Sequence, residues 1–202
     1  MTTNTITQTS NTATETTNAL DAPAVDADTG AGFDTVKQRR KVGKVLESKH
    51  FATLATTSPA GRPHVAGVLY DEADGALWVH TMRSSRKARS IAANPHVAVV
   101  IPFRKLPAGP PYTLQFQGTA QLVDMHDPQV ADLIARGELK TVSAHGTLDE
   151  PDGVFVRIVP NGTVHSYGLG VNPVEVIRDP LHSGARSVRL EQPARSPNLS
   201  QD

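Results

Sequence analysis

Between Thr81 and Pro95 the chain reads Thr-Met-Arg-Ser-Ser-Arg-Lys-Ala-Arg-Ser-Ile-Ala-Ala-Asn-Pro, a short helix with its charge reversed. Ser84 or Ser85 can cap its start by accepting from free backbone N–H groups, and Asn94-Pro95 ends it, because proline disfavours helical geometry in the residue before it. The helix dipole places partial positive charge at the N-terminus, where carboxylates are expected. Arg83, Arg86, Lys87 and Arg89 stand there instead. Free N–H groups, two hydroxyls and several cations at one helix start describe a phosphate site. The competing reading, a merely solvated cationic face, lacks the dipole's support.

Other chemistry is thinly represented. Without a single cysteine among 202 residues, disulfides, thiol nucleophiles, thiolate zinc sites and cysteine-attached haem are excluded. The eight histidines show no two-ligand helical spacing, so no metal site is expected. His80 and Trp78 alternate with Leu77, Val79 and Thr81 on one strand, where packing and ligand contact are both open to them. Lys+Arg equals Asp+Glu, so no overall field draws the chain to nucleic acid. The basic run Lys37-Gln-Arg-Arg-Lys41 reads as a solvated helix face. No cationic start is followed by an apolar run and no stretch could span a bilayer, so a cytoplasmic protein without a membrane partner is expected.

The elements that position these residues follow from pattern. Residues 1–32 are mostly Thr, Asn, Ala and Asp without a hydrophobic period, and a disordered tail is expected. A helix over residues 34–48 carries Val36, Val42, Val45 and Leu46 as its apolar stripe. Strands follow at 50–57, 63–70 and 76–81, with turns at 58–61 and 71–75. Residues 96–103 form a nearly continuous apolar run, which predicts a central strand buried on both faces. From Tyr112 to Val123 the alternation is clean, with Leu114, Phe116, Ala120 and Leu122 inward, Gln115, Gln117, Thr119 and Gln121 outward, and Gly118 at a bulge or close approach. Asp127-Pro128 opens a short covering helix. Residues 153–159 and 163–167 read as a hairpin around Pro160-Asn161-Gly162, and 174–177 as a short strand. Residues 173–202 are expected to be a mostly irregular extension.

Six or seven short-spaced strands interrupted by single helices predict a mainly β protein, a small antiparallel barrel of Greek-key type with disordered tails. The interior of such a barrel fills with side chains. An aromatic-sized ligand must then bind outside it, between elements or between subunits.

The stretches Phe51-Ala-Thr-Leu-Ala-Thr, Gly61-Arg-Pro-His-Val, Leu77-Trp-Val-His-Thr81 and Ser85-Arg-Lys-Ala-Arg-Ser-Ile-Ala-Ala-Asn-Pro95 resemble, in order and spacing, the pyridoxamine 5'-phosphate oxidase-like flavin-binding split barrels. Gly118-Thr-Ala-Gln-Leu extends the likeness, and residues 33–172 would form the flavin-binding domain. The resemblance implies a homodimer that holds FMN, or the deazaflavin F420, at the subunit interface. It places His80 and Thr81 along the flavin and assigns its phosphate to Ser85, Arg86 and Lys87, with Ser84 beside them. It implies hydride transfer to a small organic molecule, or alternatively a non-catalytic flavin- or haem-binding module. No catalytic side chain is implied. The family's phosphate-binding arginine on the second strand is matched by Ala66, and its flavin-contacting glutamine falls near Thr113, leaving Gln115 and Gln117 as substitutes. The substrate-binding tail motif of the vitamin B6 enzymes is absent, so that reaction is not expected.

Overall fold

The computed structural model describes residues 35–104, 111–179 and 184–190. The N-terminal tail expected to be disordered lies outside these residues; of 173–202, expected to be mostly irregular, residues 173–179 and 184–190 are described. Helix α1 (Thr35–Ser48) leads into β1 (Phe51–Thr57), β2 (Pro63–Leu69), β3 (Asp71–Ala73) and β4 (Ala76–Met82). Helix α2 (Arg86–Ala93), β5 (His96–Phe103), β6 (Tyr112–Val123) and α3 (Pro128–Ala135) follow. A 3-10 turn (Thr147–Asp149), β7 (Gly153–Tyr167), α4 (Pro173–Arg178) and β8 (Ala185–Arg189) complete the described chain. No helix among the described residues is long and apolar enough to cross a membrane.

The strands form one antiparallel sheet in the order β2-β1-β5-β6-β7-β4-β3, with β8 added to β7. Only Tyr70 separates β2 from β3 in the chain, yet these two strands end the path, so the sheet curls round until its edges approach. Tyr70 is fully buried at that corner. Desolvation, with Glu72 and Asp71 nearby, pushes its phenol above the ordinary value. Leu54, Val99, Ile101, Leu114, Phe116 and Ile158 fill the inside, closed by Val42, Val45 and Leu46 of α1 and Ile91 of α2. A second cluster lies behind β4 and β7, where Trp78 and Phe155 meet Val130 and Leu133 of α3 and Leu139 and Val142 beyond it.

The turn expected at 71–75 is confined to Asp74 and Gly75, because Asp71–Ala73 pair with β4 as β3, and four further expectations need correction. The residues at 160–162 do not turn back. β7 runs unbroken and pairs with β6 on both sides of a bulge between Gly118↔Pro160 and Phe116↔Val164, because the alternating β6 offers backbone partners along its whole length. A Cβ at Gly118 would come within 2.8 Å of the Val159 carbonyl, which explains the glycine. Second, β5 is covered on one face only: Val97, Val99, Ile101 and Phe103 are buried while His96, Ala98 and Pro102 are exposed. The strand buried on both faces is β4 instead, from Ala76 through Val79, because α3 and its continuation roof the outer side. Third, residues 174–177 lie in α4, since Asn172 accepts from the Val174 N–H at 3.0 Å and proline occupies the first turn. The strand in this region is β8, which follows. Fourth, Val36 is 74% exposed and Gln38 takes the inward position, donating from Nε2 to the Leu169 carbonyl at 3.0 Å and the Ser166 hydroxyl at 3.2 Å.

The roof over β4 is fastened by a buried carboxylate. Asp71 Oδ2 accepts from the backbone N–H of Thr141 at 2.7 Å and Val142 at 3.0 Å, and His50 Nδ1 lies 3.1 Å from its other oxygen. Removing it would strand two N–H donors in the interior. Asp71→Ala is therefore expected to lower stability by about 3 kcal/mol in urea unfolding, with α3 and its continuation losing amide-exchange protection first.

Candidate functional site

Past Met82 the chain makes one tight turn into α2. Ser85 N donates to the Met82 carbonyl at 3.0 Å, and Ser85 Oγ accepts from Ala88 N at 3.3 Å, so Ser85 rather than Ser84 is the cap. Thr81 Oγ1 lies 3.2 Å from Ser85 Oγ, joining the strand end to the cap.

The cations divide into two kinds. Arg83 Nη2 meets Asp124 at 3.3 Å, and Arg89 Nη1 donates to the Ser84 carbonyl at 2.7 Å. These two are engaged within the chain. Arg86, exposed, and Lys87, half-buried, have no carboxylate partner among the described residues. No acidic residue stands in the first turn of α2, but one arrives from elsewhere. Asp152 accepts from Ser84 N at 3.0 Å through Oδ2, and from Arg83 N at 2.7 Å through its own carbonyl. The Ser84 hydroxyl and N–H, helped by Arg83, hold this carboxyl below its usual range. The charge reversal seen in the sequence is thus offset in part ahead of the cap, and what remains is concentrated on Arg86 and Lys87.

His80 points to the other side of β4. Its ring meets Phe155 edge-on, with centroids 5.4 Å apart, and Nε2 is buried without a hydrogen-bond partner. Beside it lies a cleft of about 370 Å³, lined by His80, Thr81 and Met82 and, across from them, His145, Gly146, Thr147 and Glu150. Burial is the main cause holding the His80 imidazole below its ordinary pKa; Glu150 opposes it and Lys87 adds to it. His145, Glu150 and Asp152 were not found from the sequence. The acidic run Asp149-Glu150-Pro151-Asp152 was visible, but only the pairing Met82↔Gly153 carries it across the end of β4.

Gln115 and Gln117 do not join this group within one chain. They lie exposed on the outer face of β6, opposite Val100 and Ala98 of β5. On β7, Thr81 is paired with Val154 and Gln115 with His165, eleven positions further on and about 35 Å along an extended strand. His165 Nδ1 in turn lies 2.8 Å from Ser187 Oγ.

A curled antiparallel sheet with a cationic helix start at its edge is the framework of a split barrel. A family model described as pyridoxamine 5'-phosphate oxidase matches residues 39–164, and the chain belongs to that family. A search of curated proteins finds no match. Among solved structures, the haem storage protein HutZ of Vibrio cholerae is similar with a TM-score of 0.56 at 19% identity, over 66% of this chain and 96% of that one. A haem-binding protein of Mycobacterium smegmatis gives 0.57 at 17% identity over 78% of this chain, which spans only 58% of that protein. A FAD-binding protein of Mesorhizobium loti gives 0.52 at 23% identity, over 63% and 90%. The fold is thus shared with proteins that bind flavin and with proteins that bind or store haem.

The lowered pKa of His80 fixes the sign of a pH effect. Between the ordinary imidazole value of 6.5 and the lowered folded one, the unfolded chain binds more protons, so stability falls as pH falls through that window. Melting temperatures of the wild type should drop on acidification across it, and His80→Phe should show a smaller drop.

Proposed function

We propose that the protein is an oxidoreductase that binds FMN, with coenzyme F420 as the alternative, and exchanges hydride with a small organic molecule. The observation that carries this reading is the start of α2, where Arg86 and Lys87 stand without carboxylate partners beside the capping Ser85. The residues fit a phosphate. Arg86 would offer a two-pronged donor and Lys87 a point charge, while the first backbone N–H groups of α2 and the Thr81 and Ser84 hydroxyls complete the set. A bound flavin supplies the hydride chemistry itself. The chain supplies orientation through Thr81 and Ser85 and, through the Trp78 and Phe155 cluster, a dry wall behind the strand.

A homodimer belongs to the same reading. Phe51, Val65 and Leu69 are exposed on the outer face of β1 and β2, which continues across Ala98 and Pro102 of β5 to Gln115 and Gln117. An apolar sheet face of this kind suits a second copy. Covering it would also give the two glutamines a route to a cofactor held by the partner's helix start. The alternative, a module that binds flavin or haem without turnover, draws on the fold shared with the haem proteins.

Titration of FMN, F420 and haem into the purified protein, followed by visible absorption, tests these readings. FMN should bind, and Arg86→Ala/Lys87→Ala should weaken it on the order of 100-fold while leaving riboflavin, which has no phosphate, unaffected. Equal losses for FMN and riboflavin would remove the phosphate assignment, and haem binding alone would favour the alternative. Val65→Asp/Leu69→Asp should convert a dimer to a monomer in sedimentation and abolish FMN binding with it.

A further inference from the structure

We propose that the cleft between the end of β4 and residues 145–150 binds a small carboxamide-bearing molecule, His80 donating to the amide oxygen and Glu150 accepting from the amide nitrogen. This deepens the reading above, because the cleft adjoins the α2 start and so offers a place for the molecule that meets the cofactor. Its chemistry nevertheless stands on groups that the phosphate does not use.

The ring of His80 is fixed. Phe155 holds it edge-on, and Nε2 is enclosed so closely that a Cβ on Gly153 would come within 3.0 Å of it. Nε2 has no acceptor to receive a proton. A buried N–H without a partner is rarer and costlier than a bare lone pair, which puts the single proton of the neutral imidazole on Nδ1. Nδ1 is not enclosed in this way, and because His80 is one of the residues lining the cleft, Nδ1 is the nitrogen assigned to the ligand. Burial favours the neutral ring over the charged one despite Glu150, which suits His80 to offering one donor rather than a charge.

Glu150, half-buried, lines the same cleft and can only accept. The donor of His80 and the acceptor of Glu150, in a cleft that His145 and Thr81 also line, complement the carbonyl oxygen and the N–H of a carboxamide. A carboxylic acid of the same shape would bring its charge against Glu150. Thr147 Oγ1 already donates to the Val142 carbonyl at 3.0 Å and does not compete. The volume of about 370 Å³ lies in the range of small-molecule sites.

The probe is nicotinamide, compared with benzamide and nicotinic acid, each titrated calorimetrically into the full chain. Nicotinamide and benzamide should bind alike, with nicotinic acid at least about tenfold weaker. His80→Phe should weaken nicotinamide by about tenfold, and Glu150→Lys should reverse the preference in favour of nicotinic acid. Should His80→Phe fail to fold, the reversal in Glu150→Lys decides alone. Absence of amide binding, equal binding of acid and amide by the wild type, or an unchanged order in Glu150→Lys would overturn the inference. FMN titrated into the same protein separates the two readings. FMN binding without amide selectivity overturns the cleft assignment only, whereas amide selectivity without FMN binding keeps the cleft and removes the cofactor reading.

Discussion

Antiparallel pairing between β4 and the first half of β7 sets Met82 against Gly153 and His80 against Phe155. The residues just before Gly153 must then cross the end of β4, and Asp152 there accepts from the backbone N–H groups of both Arg83 and Ser84. The turn into α2 and the wall of the cleft are consequences of that one register. β7 can supply it only because it is long enough to change partners. Its first half borders β4 and its second half borders β8, while β6 runs along the opposite edge throughout. The bulge near Asn161 and Gly162 separates the two halves, held by the Thr119 hydroxyl donating to Asn161 Oδ1 at 3.1 Å.

Electrostatics at the start of α2 reflect a division of labour. An N-terminus rich in cations is unfavourable for the helix, each such charge costing a few tenths of a kcal/mol when exposed. Asp124 and Asp152 relieve that repulsion where it concerns only the fold, at Arg83 and Ser84. Neither carboxylate reaches past the cap among the contacts formed. Arg86 and Lys87 are left uncompensated at the point where the helix N–H groups are also free. A helix built for stability alone would place a carboxylate there, so the residual repulsion marks a position suited to an external anion.

Much of this was legible before the structure. A serine cap at Ser84 or Ser85, the helix start at Asp127-Pro128 and the alternation of β6 follow from local chemistry, because each depends on neighbours within a few residues. Tertiary facts were not legible. Pro160-Asn161-Gly162 has the composition of a hairpin turn, and only the availability of β6 as a continuous partner makes it a bulge. The apolar run of β5 reads as doubly buried although the second layer covers β4, and no local signal distinguishes the two. Val174, Val176 and Ile177 have the composition of a strand, and it is the Asn172 side chain, accepting from the Val174 N–H, together with Pro173 that makes the segment a helix. For the site, the cations were visible and their partners were not, since Asp124 and Asp152 lie 41 and 68 residues away from the groups they meet.

Two adjacent residues of β4 serve two different surroundings. Thr81 meets the cap of α2 and also borders the cleft, while His80, on the opposite face of the strand, packs against Phe155 and lines the same cleft. Both residues are paired with β7, His80 with Phe155 and Thr81 with Val154, so the relation of the helix cap to the cleft is set by that one register. The walls differ in kind. The proposed anion position is made of strand end and helix cap, and the far side of the cleft is made of His145, Gly146, Thr147 and Glu150, where His145 and Gly146 both take positive φ. Changes in that segment can reshape what the cleft admits while Thr81, Ser85 and α2 keep their positions, because Asp71 and the second core cluster fasten the roof further along the chain. On the reading proposed above, such a layout would let the cleft's selectivity vary while the proposed anion position stays unchanged.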